Sequence, residues 1–510
     1  MARPADPAGP AAPADVLIVG GGSAGAVIAA RLSENPDRHV VLLEAGPDYG
    51  AGQFPAALLD PVRLGDPDHD WGYTLRAGPL SPAVAAPRGR VLGGSSAVNA
   101  GAAMRARAAD FARWAEHGID DWAFEDVLPV FRDLENTPTG DDAYHGRTGP
   151  MSVRQRADAE LTSAQRAFIE ACVARGHKRV HDFNGAEQDG VGGHVVTIVD
   201  GVRQNTALSY LTTDVRARPN LAVRCGVTVD RVLFRGNAAT GVAAADGTVH
   251  AAGEVILSAG TYGSALILLR SGVGPAEDLT ALGIDVVAAL PVGRRLQEHP
   301  IFYTAYALAP GHLEMRPAIG ALLWTASSEA VGDELDLHVL AGHLLDGSRS
   351  PTGGAAGLPA ALVQPESHGT LRLTGRDPLD APLIDLNLLG TGRDRRRMLE
   401  AVKLARDLAR DPALAPLLVR ELKPGDAVAD DAALMRTIES DLAVYAHPTS
   451  TAPMGGPADP WAVVDSRGAV NGLDALRVVD ASIIPRVPSA VTNLTTIMLA
   501  ERICRLVYQS

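Results

Sequence analysis

Cysteine is scarce in this sequence. Cys172, Cys225 and Cys504 are the only three in 510 residues, far apart and never arranged as CxxC. That scatter leaves no disulfide framework and no metal-like spacing, so no metal is expected, and the odd count suits a reducing cytoplasm. No run of about 18 apolar residues occurs, which argues against a membrane-spanning helix. Residues 1–13 are Ala/Pro-rich, with Arg3 but no apolar core segment, and read as a disordered tail rather than a signal peptide. Basic residues are outnumbered, 46 Lys and Arg against 60 Asp and Glu, and the net charge of −14 argues against a nucleic-acid surface. Aromatics make up only 4%. That argues against a dense cage for a quaternary ammonium group, although a local cage stays open.

What is present begins with size: 510 residues are too many for one small core, and 46% hydrophobic with 21% charged residues is the composition of a globular chain of two or more lobes. Val16–Val19 is a continuous apolar run, the pattern of a strand buried on both faces. It feeds into Gly20-Gly21-Gly22-Ser23-Ala24-Gly25, where Gly20, Gly22 and Gly25 have the G-x-G-x-x-G spacing, and then into helix-compatible residues 26–32. Glycines there permit a tight turn and close backbone approach, and the helix start offers free N–H groups to a pyrophosphate. A second apolar run, Val40–Leu43, ends in Glu44, placed to accept hydrogen bonds from a ribose diol. Strand, turn, helix, second strand and terminal acid together predict a dinucleotide site.

The glycine motif alone does not choose between FAD and NAD. No second G-x-G-x-x-G follows Gly25 and no CxxxxC pair exists, which disfavours an NAD(P)H-linked flavoenzyme. A second Gly/Ser-rich turn runs from Arg88 to Asn99, short strands flank Gly226, and Glu254–Leu257 ends in Ser258-Ala259-Gly260; these favour flavin. Near the carboxyl end, His447 lies in a polar turn, Asp480 closes the apolar run Leu476–Val479, and Asn493 falls in the first turn of an expected helix. A base, a carboxylate and an amide are thus delivered from three strand or helix ends. An imidazole with an ordinary pKa of about 6.5 can take a hydroxyl proton at neutral pH.

Between these ends, residues 110–135 read as helical with Trp114, Trp122 and Phe131 buried. Residues 161–175 read as an amphipathic helix, 394–410 as another, and His145 as structural. Residues 334–340 alternate with period two, which predicts a half-buried strand carrying His338. Gly347–Pro359 reads as a flexible loop, either a lid or a plain connector.

Gly89–Asn99 matches the first signature of the glucose–methanol–choline (GMC) oxidoreductases, a family of FAD enzymes. Gly260–Ala265 with Ser271–Gly274 resembles the second, with Ala265 where Pro or Ser is usual. Pro291–Pro300 resembles the family's VGxNLQDH stretch, and His447–Gly455 its HPxGTxxMG block, with Ser450 in place of a glycine. Thr492–Met498 keeps the family asparagine at Asn493, but Ala490-Val491 stands where Gly-Asn is usual and Thr495 where Pro is usual. The resemblance covers about residues 14–508.

That resemblance implies an α/β chain. It combines a Rossmann-like FAD-binding domain with an α+β substrate-binding domain on an antiparallel sheet. The FAD domain is expected over 14–300, with substrate-lobe segments around 60–85 and 140–200, the substrate domain over 301–440, and a return to the FAD domain over 441–510. It implies FAD contacts at Gly20, Gly22, Ser23, Ala24, Gly25, Glu44 and Ala45. Further contacts are implied at Trp71 (or a packing role there) and at Arg90, Val91, Gly93, Gly94, Ser95, Asn99, Ala100 and Gly101. Val229, Ala259, Gly260, Asp480, Ala481 and Thr495 complete the set. It implies His447 as base, Asn493 as hydrogen-bond donor to the developing alkoxide, or else a helix cap, and His338 as a substrate contact or else a satisfied histidine. Val98 stands where some members carry the histidine that attaches FAD, so non-covalent FAD is expected. The implied reaction is oxidation of a primary or secondary alcohol by proton abstraction and hydride transfer to flavin N5, with the electron acceptor open among oxygen, quinone or another carrier. A hydroxynitrile lyase-like enzyme on the same scaffold is the alternative.

Overall fold

The computed structural model describes residues 13–50 and 52–509, so the tail expected at 1–13 lies, but for Pro13, outside the described residues. Two sheets organise the chain. The first is built on β1 (Ala14–Val19), β2 (Val40–Glu44), β3 (Leu221–Cys225), β4 (Val229–Arg235), β5 (Ala238–Ala244), β6 (Val249–Leu257) and β7 (Leu476–Val478). The strands β3, β2, β1, β6 and β7 run parallel, with Val16–Val19 paired to both Val40–Leu43 and Glu254–Leu257. Its apolar runs are continuous because both faces are covered: Leu17, Ile18 and Leu42 are at most 1% exposed. The hairpins β4–β5 and β5–β6 extend it antiparallel. Helices α1 (Gly25–Leu32), α2 (Gly260–Arg270) and α3 (Thr492–Tyr508) start at or near its carboxyl edge, and α3 lies against α1. The Arg31 guanidinium bonds Glu501 across that contact.

The second sheet has nine strands and its pairings are antiparallel. It draws on Gly190–Gly193, Pro300–Phe302, Ala305–Leu308, Ile319–Thr325, Leu337–Gly342, Ala355–Gly357, Ala360–Leu362, Leu418–Lys423 and Ala443–Val444. The strand Leu337–Gly342 is not half-buried as its alternation predicted. His338 and Val339 are both 0% exposed, because the helices Gly392–Ala409 and Ser163–Ala174 pack against it. The polar residue before it, Asp336, is buried as a carboxylate that accepts from Arg397 and from the Ser327 amide and hydroxyl. The expected loop 347–359 is loop only in part, since Ala355–Gly357 pairs with Ala305–Ala307. The single helix expected over 110–135 is broken into Ala108–Ala115, a 3-10 turn at Asp120–Trp122 and Phe124–Leu134. The break brings the rings of Trp114 and Trp122 to 6.3 Å, both in the core. No helix among the described residues is long and apolar enough to cross a membrane.

Candidate active site

The glycine turn sits where β1 passes into α1. A Cβ on Gly25 would lie 1.8 Å from the Gly20 carbonyl oxygen, so the turn closes only without a side chain there. Among the described residues the amides of Ser23 and Ala24 donate to no backbone or side-chain group of the chain. They are left at a helix start for an anionic ligand. The second Gly/Ser turn lies directly on the first: Gly93 donates to the Gly21 carbonyl at 2.8 Å. Gly94, at φ +53, leaves its Cβ position 2.7 Å from the Gly22 Cα. Glu44 closes the far side, accepting from the amides of Gly21 (2.7 Å) and Gly46 (2.8 Å). Burial raises its carboxyl pKa, with those amides working the other way. Each oxygen keeps a lone pair for a diol. Free amides, close-packed glycines and a terminal acid fit a dinucleotide of the FAD kind.

Ala45 continues the turn between Glu44 and Gly46, and Val91 carries the 2.7 Å bond from the Gly94 amide. The Ser95 hydroxyl accepts from Gly89, and Asn99 folds back to accept from Gly101, holding the Ala100 bend. Val229 opens β4 and is buried. Trp71 stacks on Tyr73 at 6.0 Å with Arg90 over its face at 5.2 Å, which is a packing role whatever it adds toward a ligand. Asp480 is already satisfied by the protein. One oxygen accepts from the Ser482 amide and hydroxyl, the other from the Gly260 amide and Ser264 hydroxyl, so it ties the ends of β6 and β7 together beside Ala259 and Ala481. The Thr495 hydroxyl accepts from the Ala106 amide at 3.3 Å.

His447 is half-buried where these segments meet. The Arg88 guanidinium donates to the Ala446 carbonyl, Thr261 of α2 donates to the Pro448 carbonyl, and Gln297 exchanges backbone bonds with Thr449. The imidazole makes one hydrogen bond among the described residues, between its Nδ1 and the Nδ1 of His299 at 3.1 Å. Its backbone amide donates to Glu298 Oε1 at 2.7 Å, and the same oxygen accepts from the His299 amide at 2.8 Å. Burial, then the neighbouring His299, Arg88, His338 and His194, hold the His447 pKa well below the ordinary value, so the ring is neutral at pH 7.

Tyr445 packs against His447 with its ring tilted 43° and 4.4 Å between centroids, and it meets His338 edge-on at 6.1 Å. Both ring nitrogens of His338 and the Tyr445 hydroxyl are buried without a partner. Buried polar atoms are normally bonded, so three orphans in one place mark where a polar ligand would go. Burial keeps His338 neutral.

The structure does not pair Asn493 with His447. The Asn493 carbonyl oxygen accepts from the Ser23 hydroxyl of the glycine turn at 2.7 Å. Nor does it cap α3: Val491 is the cap residue and Asn493 lies one position into the first turn. Reading the sequence missed the groups that do surround the base, His299, Glu298, Tyr445 and Arg88. His299 and Glu298 stood in the stretch quoted for the family, but nothing local tied them to a residue 148 positions away.

Matches to known proteins agree with this geometry. The GMC oxidoreductase amino-terminal model matches residues 14–301 and the carboxyl-terminal model residues 365–500. An oxygen-dependent choline dehydrogenase of Stenotrophomonas maltophilia is 36% identical over 531 aligned residues, 96% of this chain and 94% of the relative. The mitochondrial choline dehydrogenase of Mus musculus is 36% identical over 529, covering 95% and 88%. Among solved structures, pyridoxine 4-oxidase from Mesorbium loti superposes with a TM-score of 0.90 at 33% identity, over 98% of this chain and 99% of that one.

Proposed function

The chain belongs to the GMC oxidoreductase family, and on that premise we propose that His447 is the general base of its alcohol oxidation. It is an FAD-dependent oxidoreductase acting on alcohols, and relatives named for redox reactions leave the lyase alternative unsupported. The observation that carries the assignment is the half-buried, neutral imidazole on a turn tied to Arg88, Thr261 and Gln297, its Nδ1 engaged by His299 and its Nε2 without a partner among the described residues.

The residues divide the work. His447 Nε2 accepts the substrate hydroxyl proton as the alcohol carbon loses hydride. Tyr445 and His338 orient the alcohol through their unpartnered polar atoms. Asn493, bonded to Ser23, holds the dinucleotide turn and helix α3 in register, and its amide donors remain for ligand. The chemistry that FAD supplies when bound is hydride acceptance, with Ser23, Ala24, Glu44 and the Gly93–Ser95 turn holding it in place.

The substrate in this reading is an uncharged primary alcohol, apolar or aromatic. The positive charge beside His447 is that of Arg88, and the neighbouring acid, Glu298, is turned to backbone amides. A quaternary ammonium would have no counter-charge there. The three free cysteines are in keeping with a reducing compartment, which supports a cytoplasmic location in this reading.

The test is an anaerobic alcohol panel, choline included, followed by flavin absorbance, then repeated with oxygen and with an artificial acceptor to assign the oxidant. His447→Ala is expected to slow flavin reduction by about 10²–10⁴-fold, the range for losing a general base. Reduction at the wild-type rate overturns the assignment.

A further inference from the structure

The buried His299 and the half-buried His447 share one hydrogen between their Nδ1 atoms, 3.1 Å apart, and a neutral imidazole carries only one N–H. Which ring owns that hydrogen decides whether His447 can act as a base at Nε2. The surroundings of His299 decide it. The backbone carbonyls of Pro488 and Val363 lie beside its ring and favour a proton there, although Nε2 falls short of an aligned hydrogen bond with either. With its Nδ1 facing the Nδ1 of His447, the ring nitrogen of His299 left to carry a hydrogen of its own is Nε2. Its Nδ1 is then an acceptor only.

The geometry points to His299 as a positioning residue: it accepts the Nδ1–H of His447, fixes the Nδ1–H tautomer, and leaves His447 Nε2 bare to take the substrate proton. This rests on the reading of His447 as base. Two further features support it. Burial holds the His299 pKa down to about 3, so His299 does not take a second proton and turn from acceptor to donor. Glu298 Oε1 grips the backbone amides of both histidines, which fixes the spacing of the rings independently of their own bond. The arrangement differs from a carboxylate–histidine pair. A neutral acceptor sets the tautomer without strengthening the base, which is consistent with a base already held at low pKa by burial.

The test uses two variants of the FAD-loaded enzyme and a readout apart from turnover. His299→Leu removes the acceptor while keeping an apolar side chain in its place. His299→Asn puts a carbonyl oxygen near the former Nδ1. His299→Leu is expected to slow anaerobic flavin reduction by about 10- to 100-fold, less than outright loss of a base. His299→Asn is expected to stay within about threefold of wild type, as the acceptor is retained. In ¹⁵N-histidine-labelled protein, the imidazole whose signals vanish in His447→Ala should show a protonated Nδ1 and a bare Nε2. In His299→Leu that pattern should become a mixture of tautomers. Wild-type rates in His299→Leu, equal losses in both variants with an unchanged tautomer, or a protonated Nε2 on His447 in the wild type would each sink the pairing. If His447→Ala reduces flavin normally, the base assignment fails first; if His447→Ala is slow while His299→Leu is normal, only the pairing fails.

Discussion

At the scale of single residues, the low pKa of His447 has a kinetic signature. The ring is pressed below its ordinary value by burial and by His299, Arg88, His338 and His194, with Tyr445 against its face and Glu298 at its backbone. Flavin reduction is therefore expected to be flat with pH through neutrality, with its acid limb below about 6.5, the unperturbed imidazole value. An acid limb above that value in an anaerobic pH series would contradict the depressed pKa. Val98 sets a second expectation: acid precipitation should release the flavin into the supernatant, whereas colour pelleting with the protein would mean a covalent link. His447 was legible as a candidate base because it lies in a recognisable block. The bond that the Asn493 side chain makes was not legible, since neighbouring residues on a helix point about 100° apart and its acceptor oxygen is engaged by Ser23, 470 positions away.

At the scale of elements, the helix Gly392–Ala409 acts through one arginine. Arg397, 0% exposed, bridges Asp394 on its own helix and Asp336 at the head of the strand carrying His338. Removing one member of a buried ionic cluster leaves the others uncompensated, so Arg397→Ala is expected to destabilise by about 3–5 kcal/mol, read from the denaturant midpoint. A change below about 1 kcal/mol would mean the cluster is hydrated or rearranged. Helix periodicity made residues 394–410 legible as an amphipathic helix, and Met398, Val402 and Ala405 are its buried face. It gave no sign that a charged residue would join them, because the carboxylate that justifies it is 61 positions away. The strand Leu337–Gly342 was misjudged for the same reason: period-two alternation describes the chain, but burial depends on what packs on each side.

At the scale of the molecule, the interior holds several neutral histidines, and acid should act on them together. His194 is held at about 4 and His299 at about 3, both by burial, and His338 is also lowered. Their folded pKa values lie below the unfolded one, so the unfolded chain binds more protons below about pH 6.5 and stability falls as pH falls through that window, by about 1.4 kcal/mol per pH unit for each. Glu298, raised to about 7 by burial, works the other way between its unfolded value and 7 and cancels one of them. His145, raised to about 9 between Glu135 and Asp182, contributes below the unfolded value and loses that contribution only as pH rises through 9. The unfolding midpoint is expected to drop from pH 7.5 to pH 5, and His194→Gln to reduce the drop; a flat profile would contradict the depressed values. The nucleotide sheet was readable from its strand, glycine turn and acid. The antiparallel second sheet was expected from the family resemblance, but its strand order was not readable, since its pairings join segments as distant as Gly190–Gly193 and Ile319–Thr325.

The bond from Ser23 to Asn493 joins positions 470 apart, Arg31 meets Glu501 across the same distance, and β7 lies against β6. A nascent chain lacking its final helix has made every glycine of the cofactor turn, and the bonds to Glu44 and Gly93, but lacks the Asn493 contact that braces the turn at Ser23. Loading of the flavin therefore waits for the end of synthesis, and shortening the protein by one helix should leave it colourless rather than merely slow.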